Sequence, residues 1–107
     1  RGGQEIIDNF YVGCKGIVPA LDSADKFIKI YKHLQNKDIE KANKEYAKIL
    51  PTIVFIMQSI NTLVCYGKRI CGYRMDVKNI YDRSPNLQPT KYGIKKSKFL
   101  ANNLGKF

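Results

Sequence analysis

One short apolar segment between two predicted helices constrains what this chain can fold into. Cys14 to Val18 is apolar apart from Lys15, and Gly13 and Pro19 bound it on either side. Such a run is typical of a strand buried in a parallel sheet. A single strand leaves its backbone N–H and C=O groups unpaired. We therefore expect the partner strands to come from outside these 107 residues, as in the C-terminal piece of a larger α/β enzyme.

Helical periodicity accounts for most of the remaining chain. It predicts one helix before the strand, from Gln4 to Val12, and another after it that begins at Asp22 or Ser23. The helix–strand–helix order predicts the end of an α/β repeat over residues 1–35, followed by a C-terminal helical domain over residues 36–107. The chain is therefore mostly α, and its later helices are expected over Asp38 to about Ile60 with a bend or break at Pro51, over Asn61 to Met75, and after Pro89-Thr90 up to Gly105.

Composition and cysteine usage favour a globular protein with reduced thiols. Hydrophobic residues make up 44% of the chain, which is typical of a folded domain rather than a disordered one. The longest mostly apolar run, Ile49 to Met57, is too short for a membrane span, and Pro51 interrupts it. Three cysteines without a framework spacing argue against a secreted disulfide scaffold. We expect a cytoplasmic protein that does not insert in a membrane.

The positive charge is concentrated in the C-terminal part of the chain. Residues 1–63 carry nine basic against seven acidic side chains, a balance of +2, whereas residues 64–107 carry ten against two, a balance of +8. Such a surface could bind nucleic acid or an acidic partner. The lysines at 91, 95, 96 and 98 are more simply the solvated face of an amphipathic helix. We therefore expect no nucleic-acid partner.

The residues alone predict no catalytic set. His33 is the only histidine, and no CxxC or HxxxH spacing is present, so no metal site is expected. The acidic pairs Asp22/Asp25 and Glu40/Glu45 lie at helix starts or on solvated faces, where they complement the helix dipole. Two glycines, at positions 2 and 3, precede a helix and would let backbone N–H groups approach an anion. Their common role as loop residues explains them more simply.

The carboxyl end of the predicted strand is the best candidate for a ligand site. In a parallel barrel, ligands bind at the C-terminal ends of the strands, which here means Val18-Pro19-Ala20. The loop end at Arg1-Gly2-Gly3 also precedes a helix and would lie at the same mouth. Two βα loops would then converge on one pocket. Val18 also fits a role in core packing.

Several segments, in order, resemble one enzyme superfamily. They are Gly13 to Ala20, the stretch from Tyr31 to Lys48 with its short turn at Asn36-Lys37-Asp38, the Leu50-Pro51 step, the helix from Asn61, and the last helix. Together they resemble the C-terminal part of the dihydrodipicolinate synthase and N-acetylneuraminate lyase superfamily, whose members form Schiff bases. The resemblance covers essentially the whole chain.

The C-terminal half is similar to one branch of that superfamily. The residues concerned are Tyr66-Gly67-Lys68-Arg69-Ile70, Arg74, Asp82-Arg83-Ser84-Pro85, Pro89-Thr90 and Gly93. They resemble the dehydratases of 2-keto-3-deoxy sugar acids, such as 2-keto-3-deoxy-L-arabonate. The alternatives are a dihydrodipicolinate synthase proper, or a basic helical binding module for nucleic acid or an acidic partner.

The resemblance implies a TIM barrel with a C-terminal helical extension, assembled as a homotetramer. Residues 1–35 would be its helix 7, strand 8 and helix 8. A family lysine forms an imine with pyruvate or a 2-keto acid, a tyrosine moves protons, and paired hydroxyl residues bind the carboxylate. An imine stabilises the neighbouring carbanion by accepting its electrons. No metal or cofactor is implied.

None of those catalytic residues is expected in this chain, because their segments come earlier in the family fold. Lys15 is not the imine lysine, since it lies at the wrong end of a different strand. The resemblance places Val18 beside the imine, and it places Gly3, Gln4 and Ala20 where some members contact the polar tail of the substrate. Glycine and alanine would offer backbone contacts only. The chain therefore requires the rest of the barrel as its partner and is expected to be inactive alone.

Overall fold

The computed structural model describes residues 2–107, and within that range the chain is mostly α-helical. Six α-helices and one π-helix form in chain order. They are α1 (Ile6–Tyr11), α2 (Ala24–Gln35), α3 (Ile39–Ile56), α4 (Ile60–Thr62), the π-helix π1 (Leu63–Gly67), α5 (Lys68–Arg74) and α6 (Lys91–Leu104).

The long helix α3 packs on α2 and supplies much of the core. It begins after Asp38, whose carboxylate accepts a hydrogen bond from the backbone N–H of Lys41 at 3.2 Å. This is the N-cap that the turn before it predicts. Pro51 lies inside α3 and the helix continues past it to Ile56, so the proline does not divide the segment into two helices.

The predicted helix over Asn61 to Met75 is present, but it is not a uniform α-helix. Helix α4, π1 and α5 follow one another without interruption from Ile60 to Arg74. Ser59 opens the run with a capping box, in which its hydroxyl accepts from the backbone N–H of Thr62 at 3.1 Å. The sequence did not predict the π-helix, and such single-turn insertions occur frequently at functional sites.

Helix α6 closes the fold and packs on α5 and π1. Thr90 caps its first turn by accepting from the N–H of Gly93 at 3.0 Å, and Gly105 ends it with a φ of +76°. Gly93 is required for close packing, because a Cβ there would lie 2.3 Å from Cε1 of Tyr66. The last helix is therefore confirmed with its predicted start and stop.

The buried apolar side chains form a single cluster to which both predicted segments, 1–35 and 36–107, contribute. From the first segment it takes Ile6, Phe27, Ile30 and Leu34. From the second it takes Ala42, Ile49, Ile53, Ile56, Cys65, Tyr66, Ile70, Leu100, Ala101 and Leu104.

The strand predicted at Cys14 to Val18 does not form in this chain. No β-strand is present among residues 2–107, so the segment has no ladder partner. The prediction that it is buried is also wrong, since Val18 is 98% exposed. The reason is the one that makes a single strand unstable: no second strand is available to form a ladder with its N–H and C=O groups.

No single helix in the described part of the chain is long and apolar enough to cross a membrane. Helix α3 and the run from Ile60 to Arg74 reach the required hydropathy only when taken together, and they are bent by 111° relative to each other.

Candidate functional site

Two of the four predicted substrate-binding residues lie in the loop before α1. Gly3 is buried with a φ of +88°, and a Cβ there would lie 2.3 Å from Cε1 of Phe27. The carbonyl of Gln4 accepts a hydrogen bond from the hydroxyl of Tyr46. Arg1, which shares the predicted loop end, lies outside the described residues. Glycine at position 3 is therefore explained by close packing against α2.

The other two residues, Val18 and Ala20, lie in different surroundings. Val18 projects into solvent, whereas Ala20 is half-buried in the wall of a cavity that none of the other three residues lines. A Cβ on Gly3 would lie 3.1 Å from Cδ1 of Ile17, the neighbour of Val18. The loop before α1 thus contacts the segment after α1, but the four predicted residues do not line one common pocket.

The cavity beside Ala20, called here the Ala20 cavity, has a volume of about 540 Å³. It lies between the loop at residues 20–22, the π1–α5 run and the segment over residues 77–81. Gly72 lets the segment over residues 77–81 pack close to α5, because a Cβ there would lie 2.7 Å from Cδ1 of Ile80. Its apolar lining includes Leu21, Leu63, Val64, Met75, Val77 and Ile80.

The two charged side chains of the Ala20 cavity, Asp22 and Lys68, already have partners. The buried carboxyl of Asp22 accepts from the hydroxyl of Ser23 at 2.8 Å, and burial raises its pKa. The ammonium of Lys68 donates to Asp82 at 2.7 Å. Burial also raises the pKa of the Cys71 thiol, which disfavours the nucleophilic thiolate. The cavity therefore presents an apolar wall and no acid–base pair.

A second cavity, also of about 540 Å³, borders the segment that the sequence predicts as a strand. Phe10 and Tyr31 line it and make an edge-to-face contact with ring centroids 5.8 Å apart. The hydroxyl of Tyr31 donates to the carbonyl of Lys15 at 2.9 Å. This hydrogen bond fixes the start of the segment against α2, whereas Val18 at its end stays exposed.

Arg74 positions the loop beside the Ala20 cavity, a role that the sequence did not predict. Its side chain is 0% exposed and donates to the carbonyl of Asp22 at 2.6 Å and to both carboxylate oxygens of Asp25 at 2.8 Å. Its Nε donates to the carbonyl of Gly105 at 2.6 Å. One guanidinium thereby joins α5, the start of α2 and the end of α6. The available signal was that Arg74 shares a helix face with the core residue Ile70.

A second ion-pair group fixes the irregular segment before α6. Asp82 accepts from the ammonium of Lys68 at 2.7 Å and from the guanidinium of the buried Arg69 at 3.0 Å. The Arg69 guanidinium, with smaller help from Lys68, holds the pKa of Asp82 well below its usual range. One carboxylate holds two cations, so the group keeps a net positive charge, and its contacts fix the segment against π1 and α5.

Neither the geometry nor the comparisons assign an activity. Residues 2–107 contain no group of three His, Cys, Asp or Glu side chains that could hold a metal ion. Comparison with known proteins found no matching family model, no matching curated protein and no matching solved structure. A function for the chain therefore depends on its residues and on the surfaces they present.

Proposed function

We propose that the chain is the C-terminal part of a Schiff-base-forming lyase that acts on pyruvate or on 2-keto-3-deoxy sugar acids. The observation that carries this proposal is the segment Cys14 to Val18, which lies between α1 and α2 and leaves the Val18 side chain 98% exposed. Apolar segments with unpaired backbone are stabilised by strands from a partner. In the proposed enzyme, this segment is the eighth strand of a TIM barrel, and the other strands cover it.

The imine lysine and the proton-transferring tyrosine of the proposed enzyme lie outside this chain. The present chain would instead supply one wall of the mouth of the barrel. Val18, exposed here, would lie beside the imine, and Gly3, Gln4 and Ala20 would face the distal part of the substrate. The closeness of Gly3 to Ile17, where an added Cβ would lie 3.1 Å from Cδ1, supports this arrangement, because it brings the loop before α1 near the proposed strand.

The same proposal defines partners and location. The remainder of the barrel is the required partner, the complete enzyme is a homotetramer, and it works in the cytoplasm without a metal or cofactor. The mostly helical fold of residues 36–107 is compatible with the helical extension of such an enzyme.

Borohydride trapping tests the proposal directly. The full-length protein is incubated with pyruvate or a 2-keto-3-deoxy sugar acid, reduced with borohydride, digested and mapped by mass spectrometry. A single stoichiometric adduct on a lysine outside residues 1–107 is expected, with none on Lys15. The 107-residue chain treated in parallel should give no stoichiometric adduct. Absence of any adduct in the full-length protein would overturn the assignment.

The substrate that turns over distinguishes the two proposed chemistries. A dehydratase converts a 2-keto-3-deoxy sugar acid without a second substrate. A dihydrodipicolinate synthase consumes pyruvate only when an aldehyde acceptor is present. Measuring loss of each keto acid with and without the acceptor separates the two, and the resemblance of the C-terminal half favours the dehydratase.

A further inference from the structure

The outward side of α6 forms a continuous polar and aromatic surface, called here the α6 outer face. At about 100° per residue, the exposed positions of α6 fall on one side of the helix and its buried positions on the other. The outer face consists of Lys91, Tyr92, Lys95, Lys98, Phe99, Asn102 and Asn103, with Lys96 at its edge. The opposite side packs into the protein through Gly93, Ser97, Leu100, Ala101 and Leu104.

The charge on this face is not neutralised by the protein. Helix α6 carries four lysines and no acidic residue. Within residues 2–107, no carboxylate lies within ion-pair distance of any of the four. Some lysines elsewhere are paired, such as Lys29 and Lys48, which both contact Glu45 at about 3 Å. The sequence alone favoured a solvated face for these lysines, but the lack of counter-charges makes the surface strongly positive.

Two aromatic rings lie among these lysines. Tyr92 is 71% exposed and Phe99 is 54% exposed, although aromatic side chains are usually buried in a core or an interface. They are seven residues apart, which places them two helical turns, or about 10 Å, apart on the same side. The ammonium of Lys96 lies 4.9 Å from the centre of the Phe99 ring. Lys95 and Lys96 lie between the two rings along the helix, and one of them already contacts a ring.

We infer that the α6 outer face binds single-stranded nucleic acid. Each class of side chain matches one part of that ligand: lysines pair with phosphates, exposed rings stack on unpaired bases, and the amides of Asn102 and Asn103 can donate to and accept from base edges. This binding goes beyond the proposed lyase activity and does not depend on it.

Other polyanionic or apolar partners fit the face less well. A membrane surface needs a broad apolar stripe, and here only two rings interrupt the lysines and asparagines. An acidic partner helix needs apolar contacts every three or four residues, but the positions three and four residues after each ring, 95, 96, 102 and 103, are Lys or Asn. A second copy is disfavoured because the chain carries a net charge of +10.

Fluorescence anisotropy with a labelled 12-nucleotide single-stranded RNA of mixed sequence tests the inference on the full-length protein. Two variants have the same change in charge. The face variant combines Lys91→Gln, Lys95→Gln and Lys98→Gln. The control variant combines Lys32→Gln, Lys44→Gln and Lys78→Gln, three exposed lysines outside α6 that have no ion-pair partner among the described residues.

The salt dependence and the rings give separate signatures. Four phosphate contacts on a single strand give a slope of log affinity against log salt of about −3, and the face variant should reduce this slope by about 2. The control variant should retain it. Replacing both rings, Tyr92→Ser with Phe99→Ser, should weaken binding about tenfold per ring with the slope unchanged.

Competition with two other ligands, and two further outcomes, can contradict the inference. Phosphatidylserine vesicles and a poly-glutamate peptide should compete weakly, and an equal effect of either would assign the face to that partner and overturn the inference. No binding to the RNA at low salt would also overturn it, as would an equal loss in the control and face variants. Circular dichroism and thermal melts confirm that every variant is folded.

Discussion

The guanidinium of Arg74 binds both carboxylate oxygens of Asp25, with two N–O distances of 2.8 Å. The two residues are 49 positions apart in the chain, so this pair connects the end of α5 to the first turn of α2. The same guanidinium lies 3.9 Å from the centre of the Phe107 ring. Because one side chain satisfies groups from three elements, its removal takes a donor from each of them, and within residues 2–107 Asp25 keeps only Lys26 at 3.3 Å.

Arg74→Met should strongly destabilise the protein. The substitution keeps an apolar side chain in the space but leaves Asp25 and the carbonyls of Asp22 and Gly105 without their donor. Breaking a buried pair by removing one partner reduces the free energy of unfolding by about 3–5 kcal/mol. Urea denaturation measures the change. Lys106→Met is the control, since its pair with Asp76 is exposed and should leave the midpoint unchanged.

The ion pair of Asp82 with Arg69 should make stability depend on pH in the acid range. The pKa of Asp82 is lower in the folded state than its unfolded value of about 3.9. Its contribution is therefore complete above that unfolded value and is lost as the pH falls through the folded pKa. In Asp82→Asn, the free energy of unfolding should be lower than in the wild type at pH 7. It should also fall less as the pH is lowered from 5. The difference between the two proteins should be about 1 kcal/mol or more for each unit by which folding lowers the pKa of Asp82.

Denaturation midpoints measured every half unit of pH check this expectation for Asp82. Asp76→Asn is the matched control, because Asp76 forms an exposed pair with Lys106. An acid decline that is the same in the wild type and in Asp82→Asn would contradict the assignment of this pH dependence to Asp82.

Gly93→Ala should destabilise the protein even though alanine favours helices over glycine. The added Cβ would lie 2.3 Å from the Tyr66 ring, so either the ring or α6 must shift. Overpacking of this kind costs about 1–3 kcal/mol, which exceeds the helix-propensity gain of about 1 kcal/mol. Thermal melts measure the loss. Adding Tyr66→Leu should restore part of it, and Gly16→Ala, with no atom within 4 Å of the new Cβ, should be neutral.

The three free cysteines should react with iodoacetamide in the order Cys14, Cys71, Cys65. Cys14 is exposed, Cys71 is half-buried and Cys65 is buried in the core. Burial also raises the pKa of the Cys71 and Cys65 thiols, which lowers their thiolate fraction at neutral pH. Timed alkylation followed by peptide mass spectrometry gives the three rates. Unfolding in urea should make the rates similar, and fast labelling of Cys65 in the folded protein would contradict its burial.

Local signals in the sequence were sufficient for the helices. The acidic cap at Asp38, the threonine cap at Thr90 and the stop at Gly105 each act through backbone groups within four residues, so a short window of sequence contains the whole interaction. The π-helix over Leu63–Gly67 was not predicted, because its apolar spacing satisfies an α-helix equally well.

Long-range features could not be predicted in the same way. The contact of Arg74 with Asp25 depends on how α5 docks on α2, and nothing near either residue specifies that docking. The error at Cys14 to Val18 has a related cause. A strand forms only when a second strand pairs with it. An apolar run between two helices can therefore pair, but it becomes a strand only when other strands are present.

Val18→Asp distinguishes an exposed loop residue from an unpaired barrel strand. In the 107-residue chain the side chain is 98% exposed, so the substitution should leave the thermal midpoint unchanged. In the full-length protein, the proposed barrel buries this position, and an unpaired carboxylate there should abolish pyruvate trapping and destabilise the fold. Val54→Asp, at an exposed position of α3, controls for added charge. Full trapping activity in Val18→Asp would show that this segment is not a barrel strand.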